Sequence, residues 1–394
     1  MTKMIYKQFK DKQLSLLGMG NMRLPTKEVD GAKVIDWEKA YEIIDYAYKN
    51  GINYFDTAFR YHGGESELFV GDALSKYPRD TWYIASKFPG HMMKFEDHKL
   101  GFKGYLSNFH CDTPADIFNE QLEKCKVDHF DFYLLHNVCE SAYDFYTNEE
   151  LGVVEYFKQM REEGKITHLG FSAHGRADTI DNFLTKYEGV FEFVQIQLNY
   201  LDAKLQDAMN KYKVIWEKHH IPVIVMEPVR GGRLINLSEN SMNKLKAVNP
   251  EESAASWAFR YFQNLPGVQV VLSGMTTMEQ IIENVEIFSK EAPLSDTELE
   301  VLDEVVNDML KMVPCTACRY CTEECPMGID IPKLIAIYNE VKNDGAMLAF
   351  NLDTTKESDD PSRCISCGAC SGICPQNIDV PAIMKEFAEM LEKK

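Results

Sequence analysis

Cysteines are the most reactive side chains of this sequence, and they are unevenly distributed along it. Eight of the eleven lie between Cys315 and Cys374, and the other three are scattered at Cys111, Cys125 and Cys139. The first residues, MTKMIYKQFK, contain no apolar segment of the kind that marks a protein for export. We therefore expect a cytoplasmic protein, in which clustered cysteines bind metal rather than pair as disulfides.

The clustered cysteines form two copies of the spacing Cys-x-x-Cys-x-x-Cys-x-x-x-Cys-Pro, one beginning at Cys315 and the other at Cys364. This spacing binds 4Fe–4S clusters in bacterial-type proteins. Its two-residue gaps bring three thiolates of one tight loop to one cubane, and the fourth cysteine ligates the other cluster. The predicted ligands are Cys315, Cys318, Cys321 and Cys374 for cluster 1, and Cys325, Cys364, Cys367 and Cys370 for cluster 2.

Zinc is the alternative metal, because pairs of cysteines two residues apart also suit a tetrahedral structural site. Two runs of four cysteines that both end in Cys-Pro are harder to explain by zinc than by iron–sulfur clusters. Similar residues follow each run, GIDIPKLIAIYNE and NIDVPAIMKEFAEM, and the first contains a helix candidate over 331–341. The segment resembles the helical type of bacterial two-cluster ferredoxin, which implies a small, mostly helical domain.

Four ionisable residues in the first half of the chain suit a second chemistry. Asp56 in NYFDTA, Lys87 in IASKF and His136 in FYLLHN each end a predicted strand, and Tyr61 follows the first of them. A phenol has an unperturbed pKa of about 10, and a neighbouring ammonium lowers that pKa and favours proton donation. Asp56 would pair with Lys87, and His136 would polarise a carbonyl oxygen. These residue types fit carbonyl reduction with Tyr61 as the acid.

The elements that must position these residues are short apolar strands that alternate with helical segments. The predicted strands are 13–18, 52–56, 82–87, 131–136, 166–171, 193–197, 222–226 and 268–273. Continuous apolar runs such as PVIVME are typical of parallel strands covered on both faces. Eight strand–helix units predict an α/β fold, a (β/α)8 TIM barrel, in which all strand ends meet at one mouth. An open doubly wound sheet is the alternative, but no G-x-G-x-x-G fingerprint follows the first strand.

The spacing from Ser295 to Glu298 is a capping box and predicts a last barrel helix that ends near Lys311. The cysteine-rich segment begins directly afterwards. We therefore predict two domains, a barrel over 1–311 and a ferredoxin-type domain over 312–394.

The chain from LGMGNMRLP to this last helix resembles the aldo-keto reductase family. The ordered Asp, Tyr, Lys and His of that family fall on Asp56, Tyr61, Lys87 and His136, in the typical context D-T-A, then Y, then G-x-S-E. The resemblance implies an oxidoreductase that transfers hydride between a nicotinamide cofactor and a carbonyl or alcohol. It also implies that this cofactor binds without a Rossmann fold.

The resemblance further assigns a cofactor site. The carboxamide contacts map to Ser172 and Gln195, and Met226 stands where an aromatic residue commonly stacks on the nicotinamide ring. Ala173 replaces the asparagine that usually follows the serine. The resemblance places the cofactor pyrophosphate at the loop with Pro228, Arg230, Gly231 and Gly232 and at the turn with Ser273 and Gly274. On the adenosine side of the cofactor it places Gln280, Glu283 and Asn284.

Cofactor choice follows from two of these positions. NADPH-specific members usually carry cations where this chain has Gly274 and Gln280. A 2′-phosphate gains little binding energy without fixed cations, so the resemblance favours NADH over NADPH unless Arg230 or Arg233 compensates.

The composition excludes several other classes of function. Acidic residues outnumber basic ones by 61 to 42, which gives a net charge of −19 and disfavours binding to nucleic acid. No apolar run approaches the roughly 20 residues that span a bilayer. We expect a small carbonyl substrate as the partner, without nucleic acid or membrane.

Three hypotheses combine these signals. The first is a nicotinamide-dependent carbonyl reductase with an appended cluster domain. The second is an electron-transfer protein that links nicotinamide to an external redox carrier protein. The third is a non-enzymatic barrel used as a cofactor sensor or docking subunit. Hydride carries two electrons and a cubane normally passes one, so coupling the two usually needs a converter such as a flavin, which is a further possible cofactor.

The cluster assignment predicts that Cys367→Ala lowers the iron content and the visible absorption of the purified protein, because one cubane loses a corner ligand. Anaerobic purification with iron analysis and absorption spectroscopy measures both quantities. Retention of two full clusters in the variant would contradict the assignment.

Overall fold

The computed structural model describes residues 4–103, 106, 111–310, 312–344 and 355–392. The chain divides into two compact units. Unit 1 comprises Met1–Pro228 with Ala258–Leu294, and unit 2 comprises Val229–Trp257 with Ser295–Lys394. The segment Val229–Trp257 therefore groups with the cysteine-rich residues. The predicted division into 1–311 and 312–394 stays a prediction, and residue 311 lies outside the described residues.

Fourteen strands occur in the described residues. They are β1 (Tyr6–Phe9), β2 (Lys12–Ser15), β3 (Leu17–Gly20), β4 (Thr26–Val29), β5 (Ala32–Ile35), β6 (Tyr54–Asp56), β7 (Tyr83–Phe88), β8 (Met93–Glu96), β9 (Lys99–Phe102), β10 (Phe130–Leu135), β11 (Ile166–Ala173), β12 (Phe193–Gln197), β13 (Val223–Met226) and β14 (Val268–Ser273).

Sixteen α-helices accompany them in the same described ranges. They are α1 (Trp37–Lys49), α2 (Glu65–Leu74), α3 (Pro114–Lys124), α4 (Tyr143–Tyr146), α5 (Val153–Glu162), α6 (Ala177–Lys186), α7 (Asp202–Leu205), α8 (Ala208–Lys213), α9 (Glu239–Val248), α10 (Ala254–Arg260), α11 (Met278–Ile287), α12 (Asp296–Met309), α13 (Tyr320–Glu323), α14 (Ile331–Asp344), α15 (Ala369–Gly372) and α16 (Val380–Glu392).

Eight parallel strands close into a barrel in unit 1, which confirms the predicted fold. The barrel strands in order are β3, β6, β7, β10, β11, β12, β13 and β14, and β14 pairs with β3 to close the ring. The barrel strands after the first are almost entirely buried, as expected for strands covered by helices outside and side chains inside. Their ends define a single mouth.

The predicted first strand at 13–18 is wrong in its bounds, because it joins two separate strands. Residues Lys12–Ser15 pair antiparallel with β1 as a hairpin, and the barrel strand begins at Leu17. Phe9 and Leu14 of the hairpin are buried in one apolar cluster with barrel residues such as Phe132 and Val270. The apolar run continues through both elements, so hydropathy alone does not mark the break between them.

Helices of unit 2 surround the cysteine loops. The helix predicted at 331–341 is α14, and it contacts α16 through a hydrogen bond of 2.6 Å from Tyr338 to Glu386. Asn339 on α14 accepts from the Val313 backbone N–H at 2.7 Å and donates to the Val313 carbonyl at 2.8 Å, which fixes the chain just before Cys315. The capping box predicted at Ser295 is present at the start of α12.

Among the described residues, none of the helices combines the length and the apolar character that crossing a membrane requires.

Candidate active site and cluster-binding loops

The barrel strands bring the four predicted catalytic residues to one mouth. Asp56 is the last residue of β6, Lys87 lies near the end of β7, and His136 follows β10 directly. Strand pairing places Asp56 opposite Ala85 and Lys87 opposite Leu134, so the neighbouring strand ends are in register. Tyr61 begins a short 3-10 turn after β6.

Lys87 is the centre of the arrangement, and its side chain is fully buried. Its ammonium donates to Asp56 Oδ1 at 2.6 Å, to the Thr57 carbonyl at 2.8 Å and to the Tyr61 hydroxyl at 3.5 Å. Gln195 donates to the second oxygen of the Asp56 carboxylate at 3.0 Å. The ion pair therefore carries the further hydrogen bonds that a buried pair needs.

Burial and these partners set the protonation states. Burial raises the pKa of Tyr61 above its ordinary value, although the Lys87 ammonium opposes this effect. Lys87 therefore lowers the pKa of Tyr61 as predicted, but burial raises it by more. Burial lowers the pKa of Lys87, but Asp56 more than offsets that loss and leaves it raised. At neutral pH Tyr61 holds its proton and Lys87 holds its charge.

His136 lies beside Tyr61, with the ring centroids 6.3 Å apart and the ring planes nearly perpendicular. Burial lowers the pKa of His136 well below its ordinary value, and the neighbouring His91 and Lys87 lower it further. The imidazole is therefore neutral at physiological pH. A neutral imidazole can donate one hydrogen bond to a carbonyl oxygen at the mouth.

Two residues that sequence reasoning did not identify hold His136 in place. His91 Nδ1 lies 3.0 Å from the His136 carbonyl oxygen, and the Tyr146 hydroxyl donates to the same oxygen at 2.7 Å. Because a carbonyl oxygen only accepts, Nδ1 of His91 carries the proton. Both residues lie on the long connections after β7 and β10. The positions of these two residues in the sequence do not indicate this contact, because it depends on how the two connections fold.

A third residue outside the sequence prediction is Glu227, which follows β13. Its charge adds a small contribution to the raised pKa of Tyr61, after the effect of burial. Its position directly after a barrel strand is the signal that could have identified it.

The predicted nicotinamide contacts lie on adjacent strands. Ser172 on β11 pairs in register with Gln195 on β12, and Met226 pairs with Gln197. The Ser172 hydroxyl accepts from the Asn137 N–H at 2.8 Å, and Gln195 binds Asp56. The two residues predicted to contact the carboxamide are thus hydrogen-bonded to Asp56 and to Asn137, which follows His136.

The residues predicted on the adenosine side of the cofactor surround the start of α11. Asn284 donates to the Ser273 hydroxyl at 3.0 Å, and both are buried, whereas Gly274 and Glu283 are exposed. Gln280 is the capping-box partner of Thr277 and accepts from the Thr276 N–H at 2.7 Å. A Cβ at Gly274 would approach the aliphatic part of the Arg23 side chain at 3.1 Å, so Arg23 packs against this turn.

The loop after β13 belongs to unit 2 from Val229 onward. Arg230, Gly231 and Gly232 all have positive φ, and this conformation favours glycine at the last two positions. The loop turns the two arginines towards the cysteine-rich segment. Arg230 is fully buried and donates to the Pro314 carbonyl at 2.8 Å and to the Gln376 side chain, and Arg233 donates to the Cys315 carbonyl at 3.1 Å. Pro228 is buried in unit 1.

The eight clustered cysteines line two cavities in unit 2. One cavity is lined by Cys315, Cys318, Cys321 and Cys374, and the other is lined by Cys325, Cys364, Cys367 and Cys370. Ile331 and Val380, at the starts of α14 and α16, line both cavities. Four thiols in an apolar pocket fit the ligand set of a cubane. Within the described ranges, no three His, Cys, Asp or Glu side chains converge on a single ion. The four cysteines of each set surround a cavity instead, as ligands to four different irons would.

The buried ion pair leads to a prediction for Asp56→Asn. Removal of the carboxylate charge leaves the Lys87 ammonium buried without its counter-ion, so we expect the free energy of unfolding to fall by about 3–5 kcal/mol. Urea denaturation measures this change. The control is Asp178→Asn, which removes an exposed ion pair with Arg176 and is expected to cost far less, because water screens that pair. Equal losses in the two variants would contradict the prediction.

Comparison with known proteins places both parts of the chain. Residues 16–307 match the aldo/keto reductase family, and residues 314–378 match the 4Fe-4S dicluster domain. The "Uncharacterized oxidoreductase YqkF" of Bacillus subtilis is 25% identical over 319 residues, covering 74% of this chain and 92% of that protein. The "NADH-specific methylglyoxal reductase" of Escherichia coli is 25% identical over 327 residues, covering 75% and 95%.

A solved structure shows the same likeness in three dimensions. Aldo-keto reductase AKR11C1 from Bacillus halodurans, in its holo form, superposes with a TM-score of 0.60 at 25% identity. The match covers 77% of this chain and 96% of that one. The barrel, its match over most of the chain and the cysteine-rich match that follows it lead to one conclusion: this chain belongs to the aldo/keto reductase family and carries a C-terminal 4Fe–4S dicluster domain.

Proposed function

We propose that the barrel reduces a small carbonyl compound, or oxidises the corresponding alcohol, with a nicotinamide cofactor. The observation that carries this proposal is the buried Lys87, which binds Asp56 and Tyr61 with the same ammonium. The name of the E. coli relative, a methylglyoxal reductase, supports a small carbonyl substrate.

Each residue of the site has a defined task in this proposal. A bound nicotinamide supplies or accepts the hydride. Tyr61 donates its hydroxyl proton to the carbonyl oxygen, and the Lys87 ammonium stabilises the phenolate that remains. His136 donates an N–H to the same oxygen and orients it. Asp56 keeps Lys87 charged and directed at the phenol.

We propose that the cofactor is NADH, held by the nicotinamide residues Ser172, Gln195 and Met226 and by the adenosine-side residues around α11. The Gln280 side chain is engaged in the capping box of that helix. The guanidiniums of Arg230 and Arg233 bind the carbonyls of Pro314 and Cys315, which argues against their use for a 2′-phosphate. The E. coli relative is named as specific for NADH.

The C-terminal segment holds two 4Fe–4S clusters in this proposal. The two cavities lined by four cysteines each support it, because each matches one predicted ligand set. When bound, such clusters pass single electrons. The cysteines bind the irons, and the apolar walls limit the access of water.

Replacement of the proposed acid tests the reductase. Tyr61→Phe keeps the ring but removes the proton, so we expect kcat to fall at least about 100-fold while NADH still binds. The assay follows NADH consumption with a simple aldehyde such as methylglyoxal. The same assay with NADPH tests the cofactor choice, and we expect the wild-type protein to have a lower kcat/KM with NADPH than with NADH. Tyr48→Phe, which removes an exposed hydroxyl bonded to Thr81, is the control. Unchanged turnover in Tyr61→Phe would refute the assignment of the acid.

One observation favours a second function, electron transfer between nicotinamide and an external redox carrier protein. In the loop that follows the seventh barrel strand, Arg230 donates a hydrogen bond to the Pro314 carbonyl and Arg233 donates one to the Cys315 carbonyl. These two carbonyls lie at the start of the first cysteine motif. The segment predicted to meet the cofactor pyrophosphate is therefore in contact with the first cluster ligand. Conversion of two electrons to one needs a flavin or an equivalent relay in this case.

Addition of NADH alone to the anaerobic protein separates the two functions. The reductase predicts that the visible iron–sulfur absorption persists until a reductant for clusters is added, and that NADH is consumed once an aldehyde is present. Bleaching by NADH without any aldehyde would favour electron transfer through the clusters.

A further inference from the structure

The two cysteine motifs of unit 2 are closely matched in solvent exposure. The second cysteine of each motif, Cys318 or Cys367, is exposed, and the third, Cys321 or Cys370, is buried. The first and fourth cysteines of both motifs are partly exposed. Solvent exposure is one of the main factors that set the reduction potential of a cluster, and here it does not distinguish the two sites.

The charges at the start of the two motifs do distinguish them. Cys315 is the first predicted ligand of cluster 1, and its carbonyl accepts a hydrogen bond from Arg233 at 3.1 Å. The carbonyl of the preceding residue, Pro314, accepts one from Arg230 at 2.8 Å. The Ala317 N–H also points to the Cys315 sulfur, at 3.5 Å. Cluster 1 therefore has two guanidiniums and an amide donor beside its first ligand.

The corresponding position before cluster 2 is acidic. Asp360 begins the turn Pro361–Arg363 that precedes Cys364, and its carboxylate accepts from the Ser362 N–H at 2.9 Å. Glu324 lines the cavity of the same cluster. Arg363 adjoins Cys364, but it pairs with Glu357 at 2.9 Å. The nearby carboxylates thus outnumber the cations at cluster 2.

An electron that reduces a cubane adds one negative charge to it. Nearby cations stabilise the reduced cluster and raise its potential, whereas nearby carboxylates lower it. We propose that Arg230 and Arg233 make cluster 1 the higher-potential cluster, so that a single electron shared by the two clusters resides on cluster 1. This inference rests on the proposal that unit 2 binds two 4Fe–4S clusters.

The redox step balances without any other reactant. Reduced cluster 2 loses one electron and is oxidised, and oxidised cluster 1 gains that electron and is reduced. Ile331 and Val380 line both cavities and form an apolar boundary between the two sites. The electron then rests beside the loop that carries Arg230 and Arg233.

The test is a potentiometric titration of the full chain, purified anaerobically and followed by visible absorption and electron paramagnetic resonance. Iron analysis comes first, because a variant that keeps both clusters tests the potential and not the assembly. In Arg233→Gln we expect the higher of the two potentials to fall, with the equilibrium constant for electron exchange between the clusters reduced about tenfold, or 59 mV for a one-electron couple. Arg233→Lys keeps the positive charge, so its higher potential should stay close to that of the wild-type protein.

Asp360→Asn is the matched variant at cluster 2. Asparagine preserves the cap of the turn, so we expect the lower potential to rise while the higher one stays in place. The proposal is overturned if Arg233→Gln shifts the lower potential or neither potential. It is also overturned if the higher potential falls as far in Arg233→Lys as it does in Arg233→Gln. Loss of iron from the wild-type protein would instead refute the proposed clusters, which keeps the two failures distinct.

Discussion

The barrel mouth depends on one buried ion pair, between Lys87 and Asp56. Two charges removed from water are stable only when they face each other and have further hydrogen-bond partners, which Thr57 and Gln195 supply. The pair in turn requires that β6 and β7 keep their register, because a slip of one residue would turn each side chain to the other face of the sheet. The barrel therefore fixes the positions of Asp56 and Lys87 through backbone pairing.

The same constraint explains why the convergence of the candidate site residues could be predicted from the sequence. Parallel strands of a barrel all end at one mouth, so Asp56, Lys87 and His136 had to converge once their strands were identified. The start of the barrel strand at Leu17 could not be predicted, since the apolar run LSLLGMG crosses two elements without a change in hydropathy. Nor could the contacts of His91 and Tyr146, because the fold of long connections is not a local property.

The spacing of the cysteines was enough to predict which four belong together, and each predicted set of four lines one cavity. The roles of Arg230 and Arg233 were not visible in the same way. In the sequence their loop is a glycine-rich turn after a barrel strand, which is typical of anion binding. The partners of these arginines lie more than 80 residues further along the chain, and only the folded chain shows that backbone carbonyls occupy the guanidiniums.

The bonds from Arg230 and Arg233 also bear on how modular this protein is. A barrel with an appended cluster domain invites the view that the appendage could be removed near residue 312 or exchanged for another. The fully buried guanidinium of Arg230 would then lose the Pro314 carbonyl and the Gln376 side chain. A buried charge stripped of its acceptors is unfavourable, so the loop after β13 and the cluster segment must change together. The loop after β13 and the cluster segment are thus parts of one compact unit, although they lie far apart in the sequence.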